Sequence, residues 1–410
     1  MKKMSRWLMP ALILLMISCN SMPEAAQSPR ERECFDYDWR FNLGDVQNAE
    51  QPTFDDSSWR VLNLPHDWAI EGDFSKDNPS GYAGGALPGG IGWYRKTFVV
   101  DSTDLANGSR IYLDFDGVYM LSNVFVNGVS TGVRPYGYIS FRRDITPLLH
   151  IGENVVAVRV DNSEQPNSRW YSGCGIYRHV WMVKTQSIHI DNWGTYVTTP
   201  TVDDQKATVN VATRVRNTTP DSALITVSQY ILDATGKTVA FAQDDMLLAP
   251  DTTTEESIEL QLIAPKRWSI ESPYLYTVRT QIEYNGAVTD SYDTPLGVRT
   301  FRFDAQQGFF LNDQPVKIKG VCMHHDLGCL GAAVNTRAIE RQLEILKEMG
   351  CNAYRCSHNP PAPEVLDLCD RMGFIVMDEA LDMWSRPKTR YDYSRYFKEW
   401  HERDLTDLVM

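Results

Sequence analysis

Residues 123–132 read NVFVNGVSTG, apolar and polar side chains alternating on both sides of Asn127-Gly128. Alternation with period two is the pattern of a half-buried strand. Asn-Gly tolerates the positive φ of a tight turn, so the stretch predicts a β-hairpin. ENVVAVRVDNS (153–163) alternates in the same way. No helical period interrupts residues 34–185, which therefore predict a β-sandwich. The glycine-rich GYAGGALPGG (81–90) follows no strand-to-helix pattern and reads as a loop, not a phosphate cradle. Between 186 and 303 four more alternating runs follow at regular spacing: ATVNVATRVRN (207–217), ALITVSQYIL (223–232), ESIELQLI (256–263) and YLYTVRTQIEY (274–284). Turn residues separate them, as in an immunoglobulin-like sandwich. This second sandwich carries no convergent acids, histidines or nucleophiles, and its expected role is spacing and packing.

From 304 to 410 the period changes. VKIKGVC (316–322), NAYRC (352–356) and FIVMDE (374–379) are short apolar strands. Helical patterns follow each of them. In NTRAIERQLEILKEMG (335–350), Ile339, Leu343 and Leu346 share one face, Asn335 suits the N-cap and Gly350 the end. APEVLDLCDRMG has Pro363 in its first turn and Gly373 at its close, and YSRYFKEWHERDLTDLV (393–409) is a third helix. Strands alternating with helices over short connections predict a parallel sheet with right-handed crossovers.

Composition narrows the function. The chain has 410 residues and a formal net charge of −13, which argues against nucleic acid and against an anionic membrane surface as partners. Eleven Trp and 19 Tyr suit sandwich cores, and also suit stacking on sugar rings. Lys2, Lys3 and Arg6 precede a short apolar run, Leu8–Ile17, that is too short to span a bilayer. It ends in Ile17-Ser18-Cys19, a pattern similar to a lipoprotein signal, so residues 1–19 are expected to be a signal with Cys19 acylated. Residues 20–33 are polar and small and predict a flexible tether. The protein is expected in the periplasm or cell envelope, touching a membrane only through that lipid. The other seven cysteines match no zinc spacing, and most of them read as buried thiols.

Ligands of a parallel α/β array bind where the strands end. The first strand end carries Cys322, His324, His325 and Asp326. The second carries Arg355, Ser357, His358 and Asn359, and the third Asp378, Glu379, Asp382 and Trp384. Polar groups at all three ends predict one shared pocket, with Arg355, His358 and His324 facing it. A metal would need His324, His358 and Glu379 to converge, and no tight spacing supports that.

GVRTFRF, GFFLNDQPVKIKGVCMHH and CNAYRCSHNPPAPEVLDLCDRMGFIVMDE resemble the start of the catalytic (β/α)8 barrel of family 2 glycoside hydrolases. FDDSSWRVLNLPHDW (54–68), GIGWYRKTF (90–98) and RWYSGCGIYRHVWM (169–182) resemble that family's jelly-roll sugar-binding domain, and PKRWSIESPYLYTV (265–278) its immunoglobulin-like domain. LPHDW tilts the resemblance toward β-galactosidases. It implies a jelly-roll sandwich, an immunoglobulin-like sandwich and the first three β/α units of a TIM barrel. It further implies that His324 and His358 touch the sugar, that Arg355 holds the site's carboxylates, and that Asp378 and Glu379 are the acidic pair ending the third strand. Trp384 joins them as a substrate contact.

The resemblance departs from the lac-type pattern at two points. The glutamate and histidine that bind magnesium there are Met383 and Ser385 here, so no cofactor is expected. The jelly-roll aspartate that reaches galactose falls at Ser168. A full barrel takes about 250 residues, so the chain to Met410 is expected to be the front part of a longer enzyme. The acid/base and nucleophile glutamates would lie beyond Met410, leaving this chain alone inactive. Its barrel segment, with an open parallel edge, should then be poorly ordered or aggregation-prone. The implied activity is retaining, exo-acting hydrolysis of a β-linked oligosaccharide or polysaccharide fragment. A β-galactosidase leads and a β-glucuronidase is the runner-up, for which Arg386 and Lys388 could serve a uronic acid. A non-catalytic carbohydrate-binding lipoprotein is the reading from another class.

Overall fold

A computed structural model describes residues 22–26 and 28–409, so Cys19 and the signal segment lie outside the described residues. The first body is a sandwich of two antiparallel sheets. One sheet joins β1 (Glu31–Cys34), β10 (Val180–Thr185), β5 (Arg110–Phe115) and β8 (Phe141–Asp144), in that spatial order. The other runs β3 (Arg60–Leu62), β2 (Trp39–Leu43), β4 (Gly90–Val100), β9 (Gly152–Asn162), β6 (Ser122–Val126) and β7 (Val129–Arg134). The β6–β7 hairpin turns at Asn127 and Gly128, both at positive φ, as the sequence predicts. Inward side chains such as Trp39, Tyr94, Leu113, Phe115, Val124 and Val158 form its core.

The second body is a seven-stranded sandwich. Its three-stranded sheet is β11 (Ile188–Val202), β12 (Lys206–Asn217) and β15 (Thr252–Ile263). Its four-stranded sheet is β14 (Thr238–Leu248), β13 (Ala223–Leu232), β16 (Tyr276–Tyr284) and β17 (Ala287–Leu296). β12 alternates buried and half-buried residues along nearly its whole length, which is why its pattern was so legible. A small antiparallel sheet, β18 (Phe301–Asp304), β19 (Gly308–Leu311) and β20 (Gln314–Pro315), leads into the third body.

That third body is a parallel sheet, β21 (Gly320–Met323), β22 (Ala353–Cys356) and β23 (Ile375–Met377), with α1 (Thr336–Glu348) and α2 (Pro363–Met372) as crossovers. Asn335 caps α1, its side chain accepting from the Ala338 amide at 3.0 Å. Gly373 closes α2 in the left-handed region, at φ +76°. The architecture is thus jelly roll, immunoglobulin-like sandwich and three β/α units.

Two expectations need correction. The described residues of the expected tether, 20–33, are not free. Ala26 exchanges hydrogen bonds with the Gln281 side chain at 3.2 and 2.6 Å. Arg30 is buried in an ion pair with Asp290 at 2.7 Å, and Glu31–Cys34 pairs with β10. A polar composition hid this, because Arg30 and Gln281 find partners only across the fold.

The barrel segment is also not loosely held. The chain from Ala380 onward leaves the parallel sheet and packs on the jelly roll. Leu381, Met383 and Tyr393 join Tyr119, Tyr136, Tyr138 and Trp170 in one apolar cluster. α3 (Ser394–Val409) is pinned there by Asp404, which receives hydrogen bonds from Arg134 and Tyr393. The Arg134 and Asp404 side chains are essentially sealed from water, at 0% and 1% exposure. A buried charge without its partner would be costly, so this pair fixes where the helix sits.

Candidate active site

The site begins at the ends of the three parallel strands. Register places Cys322 beside Arg355 and Arg355 beside Met377, so the following residues of each strand emerge at one edge. Glu379 is the hub. Its Oε1 accepts from Arg355 Nε at 2.5 Å, and its Oε2 lies 2.7 Å from His358 Nδ1. Both carboxylate oxygens are therefore held, and His358 is left with Nε2 for a ligand. Arg355 also reaches the Cys322 sulfur at 3.1 Å. The Cys322 thiol and the Glu379 carboxylate raise the guanidinium pKa further above its already high value.

Beside this cluster opens a cleft of about 670 Å³. Arg355, His358, Glu379 and Trp384 line it, together with Arg169 and Asp382. Asp382 accepts from Nε and Nη2 of Arg169, at 2.9 and 2.5 Å, and from Lys388 at 2.7 Å. Burial pushes its carboxyl up, but these two cations outweigh burial and hold it below the usual carboxylate range. Trp384 is 54% exposed, with its indole N–H tied to the Leu381 carbonyl at 3.1 Å. An exposed aromatic fixed in orientation is a platform on which a sugar ring can stack.

Not every predicted contact reaches the cleft. His324 is not among the residues that line it. Its imidazole stacks on Trp170, ring centroids 5.2 Å apart, and meets His358 edge-on at 5.8 Å. Burial lowers its pKa, and the neighbouring His358 lowers it further. Of the three residues expected to share a pocket, Arg355 and His358 line this cleft, and His324 stands beside His358 without lining it. Asp378 is exposed and shares none of the partners of Glu379. The reason is strand geometry, since successive side chains point to opposite faces. Among the described residues, no three His, Cys, Asp or Glu side chains converge as a metal-ligand set.

The pattern along the chain missed the residues that join the bodies. Arg178 is buried in the jelly roll. It donates to the carbonyls of Asp116 and Tyr138, and across the boundary to Pro360 at 2.8 Å and Pro361 at 3.0 Å. Pro360-Pro361 thus turns the chain so that two carbonyls face one guanidinium. Asp67, from LPHDW, accepts from the amides of Ala69, Cys174 and Ala332 and from the Tyr171 hydroxyl. A Cβ at Gly173 or Gly331 would come within 2.9 Å of that carboxylate, and both sit at positive φ. LPHDW is a structural joint between jelly roll and barrel segment. Arg169, Trp170 and Arg178 all lie in RWYSGCGIYRHVWM, a stretch that signalled family likeness but gave no local hint of what each side chain would meet.

Comparison with known proteins agrees with this architecture. Residues 83–186 match the profile "Glycosyl hydrolases family 2, sugar binding domain", 188–299 "Glycosyl hydrolases family 2" and 304–386 "Glycosyl hydrolases family 2, TIM barrel domain". The chain belongs to glycosyl hydrolase family 2. It is 62% identical to the β-galactosidase BoGH2A of Bacteroides ovatus, over 93% of this chain and 45% of that protein. A β-glucuronidase of Bacteroides fragilis is 30% identical over 78% of this chain and 46% of its own length. A crystal structure of a family 2 member from Bacteroides cellulosilyticus superposes with a TM-score of 0.90 at 41% identity, covering 92% of this chain and 49% of the other. The chain therefore spans about half the length of the relatives it matches.

Proposed function

We propose that this chain is the sugar-binding and site-forming part of an exo-acting, retaining β-glycosidase, and that its glycon is β-galactose. The carrying observation is the 62% identity to a β-galactosidase across both bodies that build the cleft. The chemistry of the cleft supports it. Glu379 orients His358, His358 presents Nε2 to a sugar hydroxyl, and Trp384 offers a stacking face. Hydrogen bonds that tighten as the oxocarbenium-like transition state forms are the ones that accelerate hydrolysis.

The uronic-acid alternative draws on Arg386 and Lys388 in the cleft. It is weakened because Lys388 and Arg169 are both committed to Asp382 and Arg355 to Glu379, which leaves Arg386 alone for a sugar carboxylate. The Ile17-Ser18-Cys19 pattern supports export with a lipid on Cys19. Mass spectrometry of membrane-extracted protein checks this, and a mature N-terminus beyond Cys19 without lipid mass contradicts it.

Titration of the 410-residue chain with methyl β-D-galactoside, followed by saturation-transfer NMR, tests the site. Binding is expected, with loss in His358→Ala. A polypeptide that stops at Met410 should bind without turnover. Retaining hydrolysis needs two carboxylates about 5 Å apart. Here Glu379 is doubly held and Asp382 is fixed by two cations. Robust hydrolysis that disappears in Glu379→Gln would contradict this and make Glu379 a catalytic residue.

A further inference from the structure

Trp170 stands where the two bodies meet and touches both histidines. Its ring is nearly parallel to that of His324, with centroids 5.2 Å apart and planes at 20°. It meets His358 edge-on, at 5.6 Å and 69°. The two imidazoles are themselves almost perpendicular, at 85°. Three rings from three separate chain segments thus lock one another's tilt.

The indole cannot readily turn. Its N–H donates to the Tyr138 hydroxyl at 3.2 Å, which donates to Ser172 Oγ at 2.8 Å, which donates to Ser168 Oγ at 2.8 Å. Ser168 Oγ closes the loop on the Trp170 carbonyl at 2.5 Å. Trp170, Tyr138, Ser168 and Ser172 are all buried. A fully satisfied buried polar network of this kind specifies one arrangement. His324 Nδ1, by contrast, is buried without a hydrogen-bond partner, so stacking and not hydrogen bonding at that nitrogen orients this ring.

We propose that Trp170 is a positioning residue of the sugar site: the jelly roll inserts it to set the tilt of His324 and His358, and hence the direction in which His358 Nε2 meets a hydroxyl of the bound hexoside. The inference rests on the reading of the cleft as a sugar site, but the orientation of the rings is measurable without sugar. Ser168 acquires a role in the same step. It stands where the resemblance places a galactose-contacting aspartate, and here it locks the tryptophan that sets the histidines.

The test uses the 410-residue chain labelled with 13C-histidine. Ring current from a stacked indole moves the His324 resonance upfield, and the edge-on contact moves that of His358 differently. In Trp170→Leu both resonances should move toward ordinary positions, while those of His189 and His401, which lie elsewhere, stay fixed. Trp170→Phe should restore part of the His324 shift. Tyr138→Phe, which keeps the ring and removes the hydroxyl that accepts from the indole N–H and donates to Ser172, should give a smaller change of the same sense. It decides the matter if Trp170→Leu fails to fold. Unchanged His324 and His358 resonances in a folded Trp170→Leu, or in Tyr138→Phe where that variant decides, overturn the proposal. A methyl β-D-galactoside titration run alongside separates the two readings. Shifts lost on substitution without any sugar binding would leave the ring geometry standing and remove the sugar site.

Discussion

Arg178 Nη2 donates to the carbonyl of Pro360 at 2.8 Å, across 182 residues of sequence. The same guanidinium serves three further carbonyls, so one buried cation fastens the loop after β22 to the jelly roll. Arg178→Met should leave these acceptors without a donor and lower the stability of the docked unit by about 2–4 kcal/mol. Arg178→Lys should recover less than half, because three donors on a single point cannot span four carbonyls. Native-state hydrogen exchange at Val334, whose amide bonds to the Tyr177 carbonyl, reads the change. Exchange equal to the parent protein would return Arg178 to a passive role.

Arg134 and Asp404 make the corresponding joint for α3. Removing one partner leaves the other charge buried, which costs about 3–5 kcal/mol. Arg134→Met should therefore release the segment after Ala380 from the jelly roll. Limited proteolysis should then cut between 380 and 395 in the variant while sparing the parent protein. Equal cleavage of both would show that the apolar cluster around Tyr393 holds the helix without the ion pair.

His325 gives the fold a pH dependence of known sign. Its ring is enclosed by Tyr138 and Tyr177, and burial pushes its pKa down to about 3. The unfolded chain takes up the proton near pH 6.5, well before the folded one does. Its contribution to stability is thus present above about pH 6.5 and lost as pH falls toward 3. Relative to His325→Gln, the parent protein should lose up to about 1.4 kcal/mol per pH unit in that window. Denaturant unfolding of both at a series of pH values checks this, and parallel curves would contradict it.

Local rules carried much of the fold. Asn127-Gly128 announced its hairpin, Asn335 and Gly373 marked helix ends, and alternation marked β12 and β13, because each signal depends on neighbours within a few residues. The site was legible where it lies immediately after a strand, as with Arg355, His358 and Glu379. What escaped depends on partners far along the chain. Asp67 meets Ala332, Arg30 meets Asp290, and Trp170 meets His324 only after three bodies have docked. His324 shows the limit most plainly. Its place after β21 suggested the pocket, but nothing near it in the chain shows that a tryptophan from another body stacks on its ring.

The most direct test of the central claim is kinetic: kcat/KM of the enzyme purified from its own cells on nitrophenyl β-D-galactoside and on nitrophenyl β-D-glucuronide. Three of the four Arg and Lys side chains lining the cleft are already paired, Arg169 and Lys388 with Asp382 and Arg355 with Glu379, so a neutral glycon should be preferred. The account predicts a galactoside preference of at least about tenfold, or about 1.4 kcal/mol in transition-state binding. A glucuronide preference of that size would contradict it.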